Sequence, residues 1–146
     1  MERKVIEQKI TLLKAETKAQ FGIMTAQHMI EHLALTVKLS YGRIKLPEFE
    51  PTEKQLMQKH ALLYTEIDFP KGVFVPEIGQ KLLDLRYPDL DTAKNELLNS
   101  IDAYNSHFAE SPQDKTLHPR FGRLTYDEWE RFHKKHFAHH LGQFGL

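Results

Sequence analysis

The chain of 146 residues contains no cysteine. Without thiols, the protein cannot form disulfides, bind zinc or iron–sulfur clusters through thiolates, or use a cysteine as a nucleophile. A basic excess is also missing, because 20 Lys and Arg residues balance 20 Asp and Glu residues. Nucleic-acid binding usually depends on such an excess to neutralise phosphates. We therefore expect no nucleic-acid partner.

Long apolar runs are absent as well. No stretch approaches the roughly 20 apolar residues of a membrane span, and the first residues, Met1 to Lys4, lack the apolar core of a secretory signal. The hydrophobic share of 40% is sufficient for one core in a chain of this length. We therefore expect residues 1–146 to form a single cytoplasmic domain with no membrane contact.

Four segments have apolar residues at helical spacing, which predicts four amphipathic helices. Thr25 and Thr125 are good N-caps, and Glu128 completes a capping box with Thr125. The predicted helices cover approximately residues 3–19, 25–42, 92–109 and 125–142. This pattern favours an all-α fold, a four-helix bundle.

The connection between the second and third helices, residues 43–90, is predicted to be long and mostly irregular. A short helix could begin at Thr52, and one helical turn is expected around Lys81–Leu85, but prolines and glycines interrupt the rest. The single strand-like run, residues 73–75, is too short to build a sheet. Such a connection is expected to be either a lid or pocket wall, or a packing strap without further function.

Nine histidines are present, and four of them lie between positions 133 and 140. On a helical wheel, His133, His136 and His140 fall in line with Trp129, opposite the charged residues of the same helix. They therefore occupy the buried face. A buried polar group without a partner costs about 1–3 kcal/mol, and one metal ion can satisfy several imidazoles together.

The spacing of His136 and His140 stacks their side chains one helical turn apart, within reach of one ion. His32 lies on the apolar face of the second helix, which points into the same core. We therefore predict that His32, His136 and His140 bind one divalent transition metal. Imidazole ligands suit zinc, nickel, copper or iron, and we expect zinc or nickel, with iron as the alternative.

Two further histidines are candidates for proton transfer. His133 could also be a fourth ligand, a hydrogen-bond donor to a ligand, or a packed part of the pocket wall. His28 lies one turn before His32, towards the edge of the apolar face, and could also be a fourth ligand. His139 is expected on the flank of the last helix. The remaining three are expected at the surface or in loops: His60, His107 and His118.

Three stretches, Phe21–Leu33, His118–Trp129 and His136–Phe144, carry a family resemblance. They resemble the DinB-like superfamily of metal-binding four-helix bundles, and most closely a subgroup of uncharacterised function. In that superfamily a histidine in the second helix and a pair four residues apart in the last helix bind the ion. The resemblance therefore implies the same three ligands as the helical wheels. Leu141 departs from the pattern, which often has Arg at this position.

Characterised members of the superfamily include transferases and isomerases that use low-molecular-weight thiols, and other members are described as metal-dependent hydrolases. We therefore expect a metal-dependent enzyme of one of these two kinds, with a small-molecule substrate. A thiol would have to come from a cosubstrate, because the chain has no cysteine. The alternatives are a non-catalytic metal-binding bundle and a dimerising helical module. A homodimer fits each of these hypotheses.

Overall fold

The computed structural model describes residues 1–70 and 82–146, and most of these residues are helical. None of the helices in the described residues combines the length and the apolar character that a bilayer-spanning helix requires. The elements in chain order are α1 (Arg3–Thr11), α2 (Ala26–Ser40), α3 (Glu53–Tyr64), α4 (Leu90–Glu110), β1 (Thr116–His118), β2 (Gly122–Leu124) and α5 (Tyr126–Gly142).

Side-chain caps fix where four of the helices begin. Thr25 accepts a hydrogen bond from the first turn of α2, and Asp89 does the same for α4. Thr52 and Thr125 form complete capping boxes with residues three positions later, at the starts of α3 and α5. These caps satisfy backbone N–H groups that have no partner inside the helix.

The core lies between α2, α4 and α5. Helix α2 packs along α4, α1 packs against α4, and α5 contacts both α2 and α3. The largest fully buried side chains include Leu33 of α2, Tyr104 of α4 and Trp129 of α5. Because α2 and α5 face each other across this core, polar residues on their inner faces meet inside the protein.

The prediction of a mostly helical protein is confirmed, but the number of helices was underestimated. The short helix expected to begin at Thr52 is present as α3, which has Thr52 as its N-cap and runs for 12 residues within the stretch predicted to be mostly irregular. Leu62 and Leu63 are buried in its last turn. Helix α1 ends at Thr11 instead of near residue 19. The chain turns there because the hydroxyl of Thr17 accepts a hydrogen bond from the backbone N–H of Lys14. This N–H would bond to a backbone carbonyl if the helix continued.

A two-stranded antiparallel hairpin precedes α5, where the sequence predicted only a loop. Thr116 pairs with Leu124 and His118 with Gly122. Gly122 has a φ angle of +77°, and a Cβ placed on it would lie 2.6 Å from Cγ of Pro51. Each strand has three residues, too few to show the alternation of apolar and polar residues that identifies a strand in a sequence.

Two expectations concern the end of the long connection. The strand-like run at residues 73–75 lies outside the described residues. The helical turn expected around Lys81–Leu85 is not present in residues 82–85, the part of it that the structure describes. Pro88, which follows closely, disfavours helical geometry in the residue before it.

Candidate metal centre

The three histidines predicted as ligands meet at the interface of α2 and α5. Nε2 of His32 lies 2.9 Å from Nε2 of His136, although the two residues are 104 positions apart. The ring centroids are 4.6 Å apart for His32 and His140, and 4.6 Å apart for His136 and His140. One nitrogen from each ring can be chosen so that all three lie within 4.8 Å of one another. Three side chains so arranged could hold one metal ion.

Burial keeps the three imidazoles neutral. His136 is 5% exposed and His140 is 7% exposed, whereas His32 is only partly buried. Removal from water lowers the pKa of His32 to about 4 and that of His140 to about 3, and it holds the pKa of His136 well below its usual value. The unprotonated imidazole is the form that binds a metal ion, so the cluster is ready for metal near neutral pH.

The donor set suits a transition metal. Imidazole nitrogens bind such ions at about 2.0–2.1 Å, so one ion can reach both Nε2 atoms that lie 2.9 Å apart. Three neutral ligands leave at least one coordination position for water or a substrate. Nδ1 of His136 has no hydrogen-bond partner among the described residues.

Aromatic side chains surround the cluster. The Phe132 ring lies 4.9 Å from that of His136, and Phe69 lies 5.6 Å from both His136 and His139. Phe21 contacts His139 at 5.7 Å. These rings place apolar surface next to the imidazoles. Of the three ligand candidates, His32 is the one with the greatest exposure.

Charged residues directly precede His32 and His136, but their charges are engaged elsewhere. The Glu31 carboxylate accepts the backbone N–H groups of Arg86 and Tyr87 at 2.8 and 3.1 Å. The Lys135 ammonium donates to the carbonyl oxygens of Leu62 and Thr65 at 2.5 and 2.8 Å, and also to that of Ile67. Lys135 therefore attaches residues 62–67 of the long connection to α5, and Glu31 attaches residues 86–87 of it to α2.

His133 lies deeper in the core than the three clustered histidines. It is 1% exposed and stacks on Trp129 at 5.4 Å. Because the hydroxyl of Ser40 donates to the carbonyl of Val37, its oxygen accepts the Nε2–H of His133 at 2.9 Å. These contacts agree with one of the expectations for His133, namely that it is a packed part of the pocket wall.

His28 lies in the first turn of α2, and its Nδ1 is 2.6 Å from the Thr25 hydroxyl. Thr25 also accepts the backbone N–H of His28, so the ring takes part in the N-cap of the helix. Proton transfer by His28 or His133 stays a prediction, since neither contact involves a reacting group.

His118 is a buried residue at the end of β1, which corrects the expectation that it lies at the surface or in a loop. Its Nδ1 accepts the backbone N–H groups of Arg120 and Phe121, both at 3.1 Å, and burial lowers its pKa to about 3. The ring stacks on Phe121 at 4.5 Å. The turn residues Pro119 and Gly122 beside it were a signal that a side chain could cap a tight turn here.

The comparisons with known proteins bear mainly on the second half of the chain. A family described as "Protein of unknown function (DUF1569)" matches residues 76–145, slightly less than half of the chain. The matched part contains His136 and His140 but not His32. No curated protein and no solved structure matches the chain. The family match therefore indicates similarity to an uncharacterised family and does not imply a particular activity.

Proposed function

We propose that the chain is a DinB-like, metal-dependent enzyme whose divalent transition metal is held by His32, His136 and His140. Zinc or nickel is the expected ion, with iron as the alternative. The observation that carries the proposal is the convergence of three neutral imidazoles, from two helices, with nitrogens within 4.8 Å of one another. In this proposal α1, α2, α4 and α5 form the four-helix bundle and α3 is an addition to it.

The open position of such a site supports catalysis over a purely structural role. Structural sites usually have four protein ligands, whereas catalytic sites keep one position for water or substrate. When bound, the ion supplies Lewis acidity that makes a water molecule or a thiol more nucleophilic near neutral pH. We therefore propose either transfer of a low-molecular-weight thiol to a second substrate or hydrolysis of an ester or amide.

The protein side chains around the cluster have defined parts in this proposal. The imidazoles bind the ion without adding negative charge, so an anionic group of the substrate is attracted to the site. The rings of Phe69 and Phe132 exclude water from the side of His136. The partly exposed side of His32 gives a small molecule its approach. His28 and His133 remain the candidates for handling a proton.

Metal content is the first test. Protein produced without a histidine tag should contain one transition-metal ion per chain by elemental analysis, and the single variants His32→Ala, His136→Ala and His140→Ala should each lose most of it. His60→Ala is the matched control, because His60 lies on α3 and stacks on Tyr64. Metal retained by all three variants, or lost equally by the control, would contradict the proposed ligands.

Activity is the second test. Metal-loaded protein should be assayed for transfer of small thiols and for hydrolysis of esters and amides, next to His32→Ala and to protein treated with a chelator. Activity that disappears in both controls and returns when the metal is restored supports the enzyme. A metal-loaded protein inactive in both assay classes would favour a non-catalytic role.

A dimerising helical bundle is the second candidate, and one observation favours the dimer. Helix α3 exposes Leu56, Met57 and Tyr64 to solvent, with Met57 68% exposed. A second copy of the chain could cover this face. Light scattering should then detect a dimer that Met57→Glu dissociates without loss of metal, whereas a monomer at all concentrations would exclude it.

A further inference from the structure

Gln143 contacts His140 at the end of α5. The Gln143 side chain is 7% exposed, and its Oε1 accepts the Nδ1–H of His140 at 2.7 Å. An imidazole that carries its proton on Nδ1 has a bare Nε2. The bare nitrogen is the one that can bind an ion, so the partner of Nδ1 decides which nitrogen is available.

Gln143 is in turn held by the connection between α1 and α2. Its backbone carbonyl accepts the N–H of Gln20 at 2.7 Å. Gly22 has a φ angle of +82°, and a Cβ placed on it would lie 3.0 Å from Nε2 of Gln143. The Gln143 amide therefore packs directly against the backbone of Gly22. Residues other than glycine disfavour the positive φ angle at this position.

The other histidine of the α5 pair has no comparable support. Nδ1 of His136 is without a hydrogen-bond partner among the described residues. Of this pair, His140 also lies nearer to the end of α5, in the last turn, whose carbonyl groups have no partner inside the helix. Its orientation therefore depends more strongly on a side-chain partner than an orientation in the middle of the helix does.

We propose that Gln143 is a positioning residue, which fixes the tautomer and the orientation of His140 so that Nε2 faces His32 and His136. Gln20 and Gly22 hold Gln143 in place, so the connection before α2 also supports the cluster. This inference rests on the proposed metal site. It adds a residue that touches neither the ion nor a substrate but sets the affinity of the site.

Metal affinity tests the role of Gln143. Replacing the acceptor with a side chain of similar size, Gln143→Met, should raise the dissociation constant for Zn²⁺ by at least fivefold and by up to about 100-fold. Gln143→Glu keeps an acceptor and should bind within threefold of the wild type or more tightly. Gln58→Leu is the matched control, because it removes an amide acceptor that bonds to Arg120 and not to a histidine of the cluster. An increase of less than fivefold for Gln143→Met, or an equal loss for Gln143→Glu, would overturn the proposal.

A second measurement needs no metal. Long-range ¹H–¹⁵N spectra of the metal-free protein at pH 8 report which nitrogen of His140 carries the proton. The wild type and Gln143→Glu should have the proton on Nδ1, whereas Gln143→Met should have a mixture of tautomers. A wild-type proton on Nε2 would refute the role of Gln143, even if Gln143→Met failed to fold.

The two measurements separate the two proposals. A wild-type protein that binds no transition metal but has the His140 proton on Nδ1 would remove the proposed metal site and leave the positioning contact standing. A protein that binds the metal, and in which Gln143→Met changes neither the dissociation constant nor the tautomer of His140, would keep the metal site and remove the role of Gln143. Gly22→Ala adds an independent check, since it should displace the Gln143 amide and weaken Zn²⁺ binding by at least fivefold. An unchanged dissociation constant in folded Gly22→Ala would contradict the part assigned to Gly22.

Discussion

In the core, a series of hydrogen bonds between individual residues links α5, β1 and α2. Nε1–H of Trp129 donates to the hydroxyl of Thr116 at 2.7 Å, and this hydroxyl donates to the carbonyl of Ser40 at 2.6 Å. The Ser40 side chain accepts from His133. A buried polar group without a hydrogen-bond partner destabilises the folded protein. These hydrogen bonds therefore fix how the hairpin and the two helices pack together.

Ser40→Ala should therefore destabilise the protein by about 1–3 kcal/mol, since it leaves the buried Nε2–H of His133 without an acceptor. The measurement is urea unfolding in the presence of a chelator. Ser106→Ala, at an exposed position of α4, is the control and should change stability by less than about 0.5 kcal/mol. If Ser40→Ala is as stable as the control, His133 is not held by this hydrogen bond.

Lys135 gives a second prediction at the residue scale. Its ammonium caps the carbonyl end of α3, and Lys135→Met should lower the free energy of unfolding by about 1–3 kcal/mol. Hydrogen exchange should show faster exchange in the last turn of α3. Lys134→Met is the matched control, because Lys134 is the exposed neighbour. Equal exchange rates in both variants would show that α3 does not depend on this contact.

Whole elements differ in how well the sequence predicts them. The starts of α2 and α5 were predictable because capping is a local interaction between residues at most three positions apart. The convergence of His32, His136 and His140 followed from the apolar faces of two helices. The hairpin was missed because it depends on a contact between distant residues, Gly122 against Pro51. The end of α1 was missed because the Thr17 hydroxyl accepts the N–H of Lys14, a local contact that competes with the helix.

That contact predicts the behaviour of the hairpin. Gly122→Ala should destabilise the protein by at least about 1–2 kcal/mol, because alanine disfavours a positive φ and its Cβ would overlap Pro51. Gly142→Ala is the matched control: a Cβ there meets no atom within 4 Å, and Gly142 lies in α5 without a positive φ. It should be neutral or stabilising by up to about 1 kcal/mol. Thermal unfolding compares the two variants, and equal stability would mean that β2 does not need glycine.

The molecule as a whole should lose stability in mild acid. Burial lowers the pKa values of five histidines, and those of His118 and His133 fall to about 3. Between pH 6.5 and about 4 the unfolded chain binds protons that the folded protein does not bind, so the free energy of unfolding falls as the pH falls. Each of these histidines contributes up to about 1.4 kcal/mol per pH unit.

Urea unfolding of the metal-free protein at pH 7, 6 and 5 tests this expectation. The free energy of unfolding should be nearly constant above pH 7 and should decrease between pH 6.5 and 5, before most carboxylates titrate. His118→Gln should reduce the slope, since it removes one of the titrating groups. A constant free energy from pH 7 to 5 would show that these imidazoles take up protons in the folded protein as they do in the unfolded chain.

The separation of His32 and His136 along the chain has a mechanical consequence. A metal ion that joins them would close a loop of 104 residues, with a fully extended length of about 340–370 Å. When the protein is stretched from its two termini, this length should stay hidden until the coordination bonds break. The ion would then act as a cross-link that a chelator removes. With the ion, the chain should extend in two steps, the second when the coordination bonds break; with a chelator, it should extend in one longer step.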